Sequence, residues 1–494
     1  MKRILTLFVL AAFFIKPISA QEKKLFDDFI EKAMEAAPMV PSIGIAVVKD
    51  GKVAYLSAYG DADPEMGLKA TPETAYYIAS ITKSFTGLLG QMLADEGVIN
   101  LDAPLTTYKP FSKVKNRELF EELTIRHLLN HTSGLENGYI VFREAYTGDK
   151  SKEILTMLLE EKTEKGKVGE YEYSNLGYNL FALLLEAEFG WKWQDLLQEK
   201  IFGPLNMEHT SAYVSKSDRE KWSMAWPYVG YRSNTPERSY LMKNDAMMQS
   251  AGGLLCSPKD AANWMMAFLN GGKLDGEQVI PKSQIEAVLK PSATYDREGD
   301  IFKDRGYGLG WVNAEFGGER INYHFGGYNG FFSHISIMPE KNIGIAVFAN
   351  EPAFGDNVSN LIASYIYDYY LGNVDDVNDY DERIEALKKR ITDVQTSINA
   401  HYEKINAREW QLELPKSEYA GTYENKYLGT VKIEEKNGDL HVTMGPLKTV
   451  ATPFTDKNSI RIEFAGSGNV CSFNVKKNKV VNMNYDGDVF ERVN

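Results

Sequence analysis

Cysteine is nearly absent from this chain: Cys256 and Cys471 are the two among 494 residues. They lie far apart in sequence, which argues against a disulfide framework and reads both as buried thiols acting as small apolar groups. Histidine is sparse too, and the seven present show no His-Glu-x-x-His spacing for zinc, so a zinc site of that kind is not expected. Positive charge is in deficit. Lys and Arg number 55 against 68 Asp and Glu, a net charge of -13, and no Lys/Arg cluster offsets it. Such a chain repels phosphate backbones, which excludes nucleic acid as a partner. Beyond Ile15 no apolar run approaches the ~20 residues that cross a bilayer, so the protein is not expected to span a membrane.

What is present begins with Met1-Lys2-Arg3, an apolar run from Ile4 to Ile15, and Ile18-Ser19-Ala20 before Gln21. That pattern reads as a secretory signal peptide over residues 1–20 and predicts a secreted, periplasmic protein. No Cys follows the run, so no lipid anchor is expected. Loss of the leader removes Lys2, Arg3 and Lys16 and no acid, taking the net charge from -13 to -16.

At this length more than one domain is expected, since single cores rarely grow beyond ~250–300 residues. Ser42–Val48 and Val53–Tyr59 are strand-like runs joined through Asp50-Gly51, a hairpin signal. Phe331–Met338 and Ile343–Phe348 repeat the arrangement some three hundred residues later. Between them helical patterns dominate: Ser84–Glu96, Ile125–Leu129, Lys152–Glu161, Leu176–Glu188 and Pro258–Leu269. The order predicts an α+β domain over 21–375, an antiparallel sheet flanked by helices with a helical subdomain. Over 376–414 an amphipathic helix carries Ile384, Leu387, Ile391, Val394 and Ile398 in one stripe, expected to pack on its own protein. Residues 415–494 alternate in short runs around Asn437-Gly438 and predict a small all-β domain, sandwich or barrel.

Three clusters carry chemistry. Ser80-Ile81-Thr82-Lys83 sets a hydroxyl and an amine three apart at a helix start, so both fall on one face. A lysine whose pKa is lowered by burial can take the serine proton. Tyr173-Ser174-Asn175 puts a phenol and an amide two apart in an extended stretch before a helix. The phenol, next to an ammonium, is expected to lose part of its pKa and serve as a general base, while the amide holds Lys83 and a substrate carbonyl. In Tyr323-His324-Phe325-Gly326-Gly327-Tyr328, the two glycines let a substrate backbone approach the strand edge. The Gly327 N–H would pair with the Ser80 N–H as an oxyanion hole, and His324 would stand across the cleft from Ser80.

In this order and at these distances the clusters resemble the serine β-lactamase and penicillin-binding protein superfamily. Within it the resemblance is to the class C-like branch that also holds DD-peptidases, D-aminopeptidases and esterases. Its Ser-x-x-Lys, Tyr-x-Asn and His-x-Gly motifs are matched by Ser80 and Lys83, Tyr173 and Asn175, and His324 and Gly326. Leu128–Leu135 (with His131), Phe202–Met207 and Ala251-Gly252-Gly253-Leu254 also look like that branch. The resemblance covers about residues 25 to 370, and the tail from about 415 is similar to the lipocalin-like β-domain often appended to such hydrolases. It implies Ser80, Lys83 and Tyr173 as catalytic residues, Asn175, His324, Gly326 and Gly327 at the substrate, and no cofactor. His131 is read as structural.

The implied activity is a secreted serine hydrolase forming a Ser80 acyl-enzyme with a peptide, amide or ester. β-Lactamase activity is the alternative, disfavoured because His324 replaces a lysine that grips the β-lactam carboxylate. Two further readings remain: a penicillin-recognising protein that acylates with little turnover, and an interaction protein with a dormant hydrolase domain. Specificity is expected from loops Glu136–Ser151, Trp226–Met247 and Asp296–Arg305, with Trp226, Tyr228, Tyr231 and Tyr240 lining the cleft or packing.

Overall fold

Asp50 and Gly51 both take positive φ, 50° and 75°, and turn strand β1 (Ser42–Lys49) back into β2 (Lys52–Asp63). The computed structural model to which this hairpin belongs describes residues 19–136, 138, 146, 164–215, 223–245, 249–374, 377–464 and 467–493. The expected leader up to residue 18, the expected helix Lys152–Glu161 and most of the loop Glu136–Ser151 lie outside the described residues.

The hairpin is one end of a nine-stranded antiparallel sheet. Its other strands are β3 (Leu68–Lys69), β4 (Arg297–Glu298), β5 (Lys303–Tyr307), β6 (Val312–Phe316), β7 (Glu319–Tyr328), β8 (Phe331–Met338) and β9 (Ile343–Ala349). Their order is β4-β5-β6-β7-β8-β9-β1-β2-β3, so β1 pairs with a strand three hundred residues away, Ile45 opposite Val347. Side chains alternate across β1. Ile43, Ile45 and Val47 join one core with helix α1 (Ala20–Ala36) and α5 (Gly355–Leu371). Ala46 and Val48 join the opposite core with α2 (Thr82–Asp95), α3 (Asn175–Phe189) and α4 (Pro258–Leu269). Helices on both faces explain why β1 is apolar from Ile43 to Val48.

Phe85 of α2 stacks on Trp264 of α4 at 3.9 Å, and Trp193 Nε1 donates to Thr86 Oγ1 at 3.0 Å. Close approach is required at two glycines. A Cβ on Gly87 of α2 would meet the Leu309 carbonyl oxygen at 2.2 Å, and one on Gly177 of α3 would meet that of Leu128 at 2.2 Å. Among the described residues no helix is long and apolar enough to cross a membrane.

Helix α6 (Val377–Asn406) carries the expected stripe. Tyr380, Ile384, Leu387 and Ile391 are buried with α1 and α5, while near its end Tyr402 donates to Glu463 of the C-terminal sheet. That sheet has nine antiparallel strands, β10 (Gly421–Asn425), β11 (Gly429–Lys436), β12 (Asp439–Met444), β13 (Leu447–Val450), β14 (Thr452–Pro453), β15 (Ser459–Phe464), β16 (Ser467–Lys476), β17 (Lys479–Tyr485) and β18 (Asp488–Arg492). The order β13-β12-β11-β10-β18-β17-β16-β15-β14, with β13 lying against β15, makes a nearly closed barrel. Leu241, from the loop region of the first domain, is 2 % exposed and sits in the barrel's core cluster. Both cysteines are free and buried, Cys256 in the first domain and Cys471 in the barrel.

Candidate active site

The chain on either side of Ser80 is fastened to one turn. Tyr76 and Tyr77 pair with Cys256 and Leu255, the Ile78 N–H donates to the Leu254 carbonyl at 3.0 Å, and the Leu254 N–H donates to Thr82 Oγ1 at 3.1 Å. Between these anchors Ala79 has φ +43°, a left-handed value that costs a residue with a Cβ about 1–3 kcal/mol and persists only where the surroundings hold it. The kink leads into the short 3-10 turn Ala79–Ile81 and then α2. Ser80 is thereby set at the head of the helix, with Lys83 one turn on.

Lys83 is wholly buried, and its Nζ has three oxygen neighbours. Ser80 Oγ lies at 3.0 Å, Asn175 Oδ1 at 2.7 Å and the Ala251 carbonyl at 2.7 Å. Burial holds the amine's pKa well below its ordinary value near 10.5. A neutral amine has two hydrogens and one lone pair. The Asn175 and Ala251 oxygens accept both hydrogens, which leaves the lone pair for the Ser80 hydroxyl.

Tyr173 completes the trio, its hydroxyl donating to Ser80 Oγ at 2.9 Å. Ser174 caps α3 by accepting the Leu176 N–H at 3.2 Å, so Asn175 is the first helical residue rather than the last extended one. Strand alternation therefore does not aim Tyr173 and Asn175 at Lys83; a capped helix start does. The expected lowering of the phenol's pKa is also corrected. Enclosure of its hydroxyl end pushes the pKa up, an effect the Ser80 contact partly offsets. With 44 % of Tyr173 exposed, the push is weaker than for a phenol wholly removed from water.

His131 supports this arrangement from below. Its φ of 63° turns the chain so that its carbonyl accepts the Glu172 N–H at 2.8 Å and its Nδ1 accepts the Ser174 N–H at 3.1 Å. The ring lies 4.4 Å from that of Tyr173. Burial first, then Lys83 and His324, hold its pKa far below the usual histidine range, so it is a neutral acceptor that indexes the Tyr173–Asn175 segment.

Strand β7 lies directly against the nucleophile turn. A Cβ on Gly326 would fall 2.0 Å from the Ile78 carbonyl oxygen, and Ser333 of β8 donates to that oxygen at 2.9 Å. Glycine at 326 is thus demanded by the protein's own backbone, not by a substrate's. At Gly327 nothing stands within 4 Å of where a Cβ would be, so this is the position that opens onto a cavity.

His324 does not stand across an open cleft as expected. It is 4 % exposed, with Nε2 3.0 Å from the Tyr307 hydroxyl and Nδ1 2.6 Å from the Phe325 carbonyl. A proton on Nδ1 satisfies both contacts, the carbonyl accepting and Tyr307 donating to Nε2. Burial, reinforced by Lys83, pushes its pKa down to about 3. It is a neutral ring packed 6.3 Å behind that of Tyr173.

The structure therefore brings Ser80, Lys83, Tyr173 and Asn175 into direct contact, sets Gly326 against their turn, opens Gly327 to a cavity and withdraws His324 into the wall. Sequence reasoning missed the Ala251 carbonyl, a backbone group with no side-chain signal, and Tyr307, whose hydroxyl orients His324. Of the loop aromatics, Tyr228 is buried and donates to Asp63 at 2.7 Å. Trp226 carries the Arg238 guanidinium 3.4 Å above its ring. Tyr231 and Tyr240 line the cavity beside Gly327.

Among curated proteins, Protein flp of Staphylococcus aureus is 28% identical over 339 residues, covering 67% of this chain and 64% of its own length. The chain thus spans less than two thirds of that relative. Among solved structures, the octameric penicillin-binding protein homologue from Pyrococcus abyssi matches with a TM-score of 0.61 and 24% identity over 94% of this chain and 99% of that one. The D-amino acid amidase from Ochrobactrum anthropi SV3 matches with a TM-score of 0.57 and 20% identity over 74% and 99%. At those identities the likeness is one of fold. The Beta-lactamase family model matches residues 26–363, well over half of the sequence, and the chain belongs to that family.

Proposed function

We propose that this protein is a serine hydrolase that cleaves an amide, peptide or ester through an acyl-enzyme on Ser80. The observation that carries the reading is the position of Ser80 Oγ, 3.0 Å from a buried amine and 2.9 Å from a phenol that donates to it. Neutral Lys83 takes the hydroxyl proton as Oγ bonds to the substrate carbonyl carbon. The resulting oxyanion is held by the Ser80 and Gly327 N–H groups. Tyr173 gives its proton to the leaving nitrogen or oxygen as that bond breaks and regains one from the Lys83 ammonium. Water then attacks the ester carbon, its proton passing back along the same pair, and the acid product leaves Ser80 restored. Asn175 orients Lys83 and the substrate amide.

Amides and esters are favoured over β-lactams by His324. A neutral, buried imidazole offers no cation to a β-lactam carboxylate at that place. The fold likeness to a D-amino acid amidase points the same way. Export to the periplasm is part of the proposal, on the strength of the first twenty residues, and a mature protein starting at Gln21 by mass measurement would support it.

A fluorophosphonate probe tests the chemistry. It should label the native protein and leave Ser80→Ala unlabelled. A panel of D-amino-acid amides, short acyl esters and a chromogenic cephalosporin should then show turnover of the first or second class exceeding the third. Labelling that persists in Ser80→Ala would overturn the assignment, and a stable cephalosporin adduct without product release would replace it with a penicillin-recognising protein.

A further inference from the structure

Between the first domain, α6 and the barrel lies a cavity of about 760 Å³ that begins at the end of β7, where Gly327 and Tyr328 form part of its wall. This wall continues into the residues that hold the nucleophile. The Tyr328 ring lies 5.1 Å from that of Tyr77, three residues before Ser80, and Gly326 abuts Ile78. A substrate lying along β7 from Ser80 leads past Gly327 toward this space.

The cavity's charge is opposite to that of the chain. Although the whole sequence carries -13, the lining holds four cations, Arg232, Arg238, Lys448 and Arg461, against Glu237 and Glu463. Two of the cations are committed. Arg461 is paired with Glu463, and Arg238 with Asp63 and Glu65 at 3.3 and 3.2 Å. Arg232 and Lys448 have no ion pair among the described residues. Each is held instead against an aromatic face, Arg232 4.2 Å above Tyr402 and Lys448 Nζ 5.1 Å above Tyr240. Such stacking pre-orients a cationic head without neutralising it. Arg232 comes from the first domain and Lys448 from the barrel strand β13, so the pair exists only when the two are docked.

We propose that this cavity is a substrate subsite that takes a carboxylate-bearing group on one side of the scissile bond, with Arg232 and Lys448 as its charge partners. The proposal rests on the serine hydrolase reading and extends it to a substrate class: acylated compounds or short peptides with a free carboxylate. The barrel then acts as a selectivity element for the chemistry performed at Ser80.

Protection of Ser80 from a fluorophosphonate probe tests this on the full chain. Two matched thioester pairs serve as competitors. Benzoylglycyl thioglycolate and its methyl ester place the charge on the leaving side; succinylglycyl and butyrylglycyl methyl thioglycolate place it on the acyl side. In one pair the charged member should protect at about tenfold lower concentration, equivalent to about 1.4 kcal/mol, and the ratio should shrink as salt is added. In the double variant Arg232→Gln, Lys448→Gln the ratio should fall toward one, while Lys448→Arg should keep it. Equal protection within both pairs, an unchanged ratio in the double variant, or loss of the ratio in Lys448→Arg would overturn the subsite while leaving a labelled serine hydrolase. Absence of labelling altogether would overturn the hydrolase reading and this proposal with it.

Discussion

The two nine-stranded sheets of this molecule bury different things. In the first domain the interior holds Lys83, Asp63, Asp260, Asp304, Glu351 and the imidazoles of His131, His324 and His334, all 8 % exposed or less. In the barrel, among the described residues, the polar interior consists of Asn458 and Ser459, and no charged side chain is buried. The first sheet is assembled from strands distant in sequence, so helices and loops from the intervening chain can bring ionisable groups into places stripped of water. The barrel is built of consecutive hairpins around an apolar core. Desolvation is what shifts a pKa toward a catalytic value, and among the described residues only the first domain buries amines, carboxylates and imidazoles.

If that contrast is right, substitutions in the two regions should fail in different ways. The largest effect on rate is expected for Lys83→Ala, a loss of about 10³-fold in acylation with the fold retained; a near-native rate would show the buried amine to be structural. Next comes Tyr173→Phe, at about 10²-fold, with melting temperature little changed. Gly326→Ala should damage both properties, since the new Cβ collides with the Ile78 carbonyl. A destabilisation of about 1–3 kcal/mol and a displaced nucleophile turn are expected, read by denaturant melts and labelling rate together. In the barrel, Asn458→Ala strips the acceptor from the Tyr419 hydroxyl (2.6 Å) and the Glu413 N–H (3.0 Å). It should cost about 1–3 kcal/mol of stability while leaving the probe reaction at Ser80 alone; a parallel collapse of labelling would blur the distinction between the regions.

A pH dependence of stability is set by the first domain's histidines. Burial pushes His324 down to about 3 and His334 to about 4, so both are neutral when folded. Unfolding frees rings that bind a proton near pH 6.5. The unfolded chain then takes up more protons, and stability falls as pH drops from about 6.5 toward 4. Melting temperature should decline by several degrees over that interval; a flat profile would mean these rings are not held neutral by burial. In the same pH direction, protonation of Lys83 removes the base, so labelling slows as acid is added.

Much of this was legible in the residues. Alternating runs give most of the long strands, and the spacing of Ser80 and Lys83 gives a contact that one helical turn enforces. Asp50-Gly51 gives the first hairpin. Illegible were features that depend on three-dimensional approach. Gly326 is a glycine because Ile78 crowds it, which no local pattern encodes. The Ala251 carbonyl carries no side-chain identity at all. His324 matches a His-x-Gly motif and so is expected to face substrate; only the packing of Tyr307 and the Phe325 carbonyl shows it turned inward. The direction of the Tyr173 shift follows from desolvation of its hydroxyl end, a property of its enclosure and not of its position in a motif.

Helix α6 runs unbroken for 30 residues, about 45 Å at 1.5 Å per residue. One half is embedded beside α1 and α5, and near the other end Tyr402 grips Glu463 on β15. A rod of that kind works as a strut, not a tether. It sets the gap between Arg232 and Lys448 the way a spacer sets the jaws of a caliper. Loosening its anchorage at Ile384 or Leu387, remote from the serine, should therefore alter which compounds fit before it alters how fast any of them reacts.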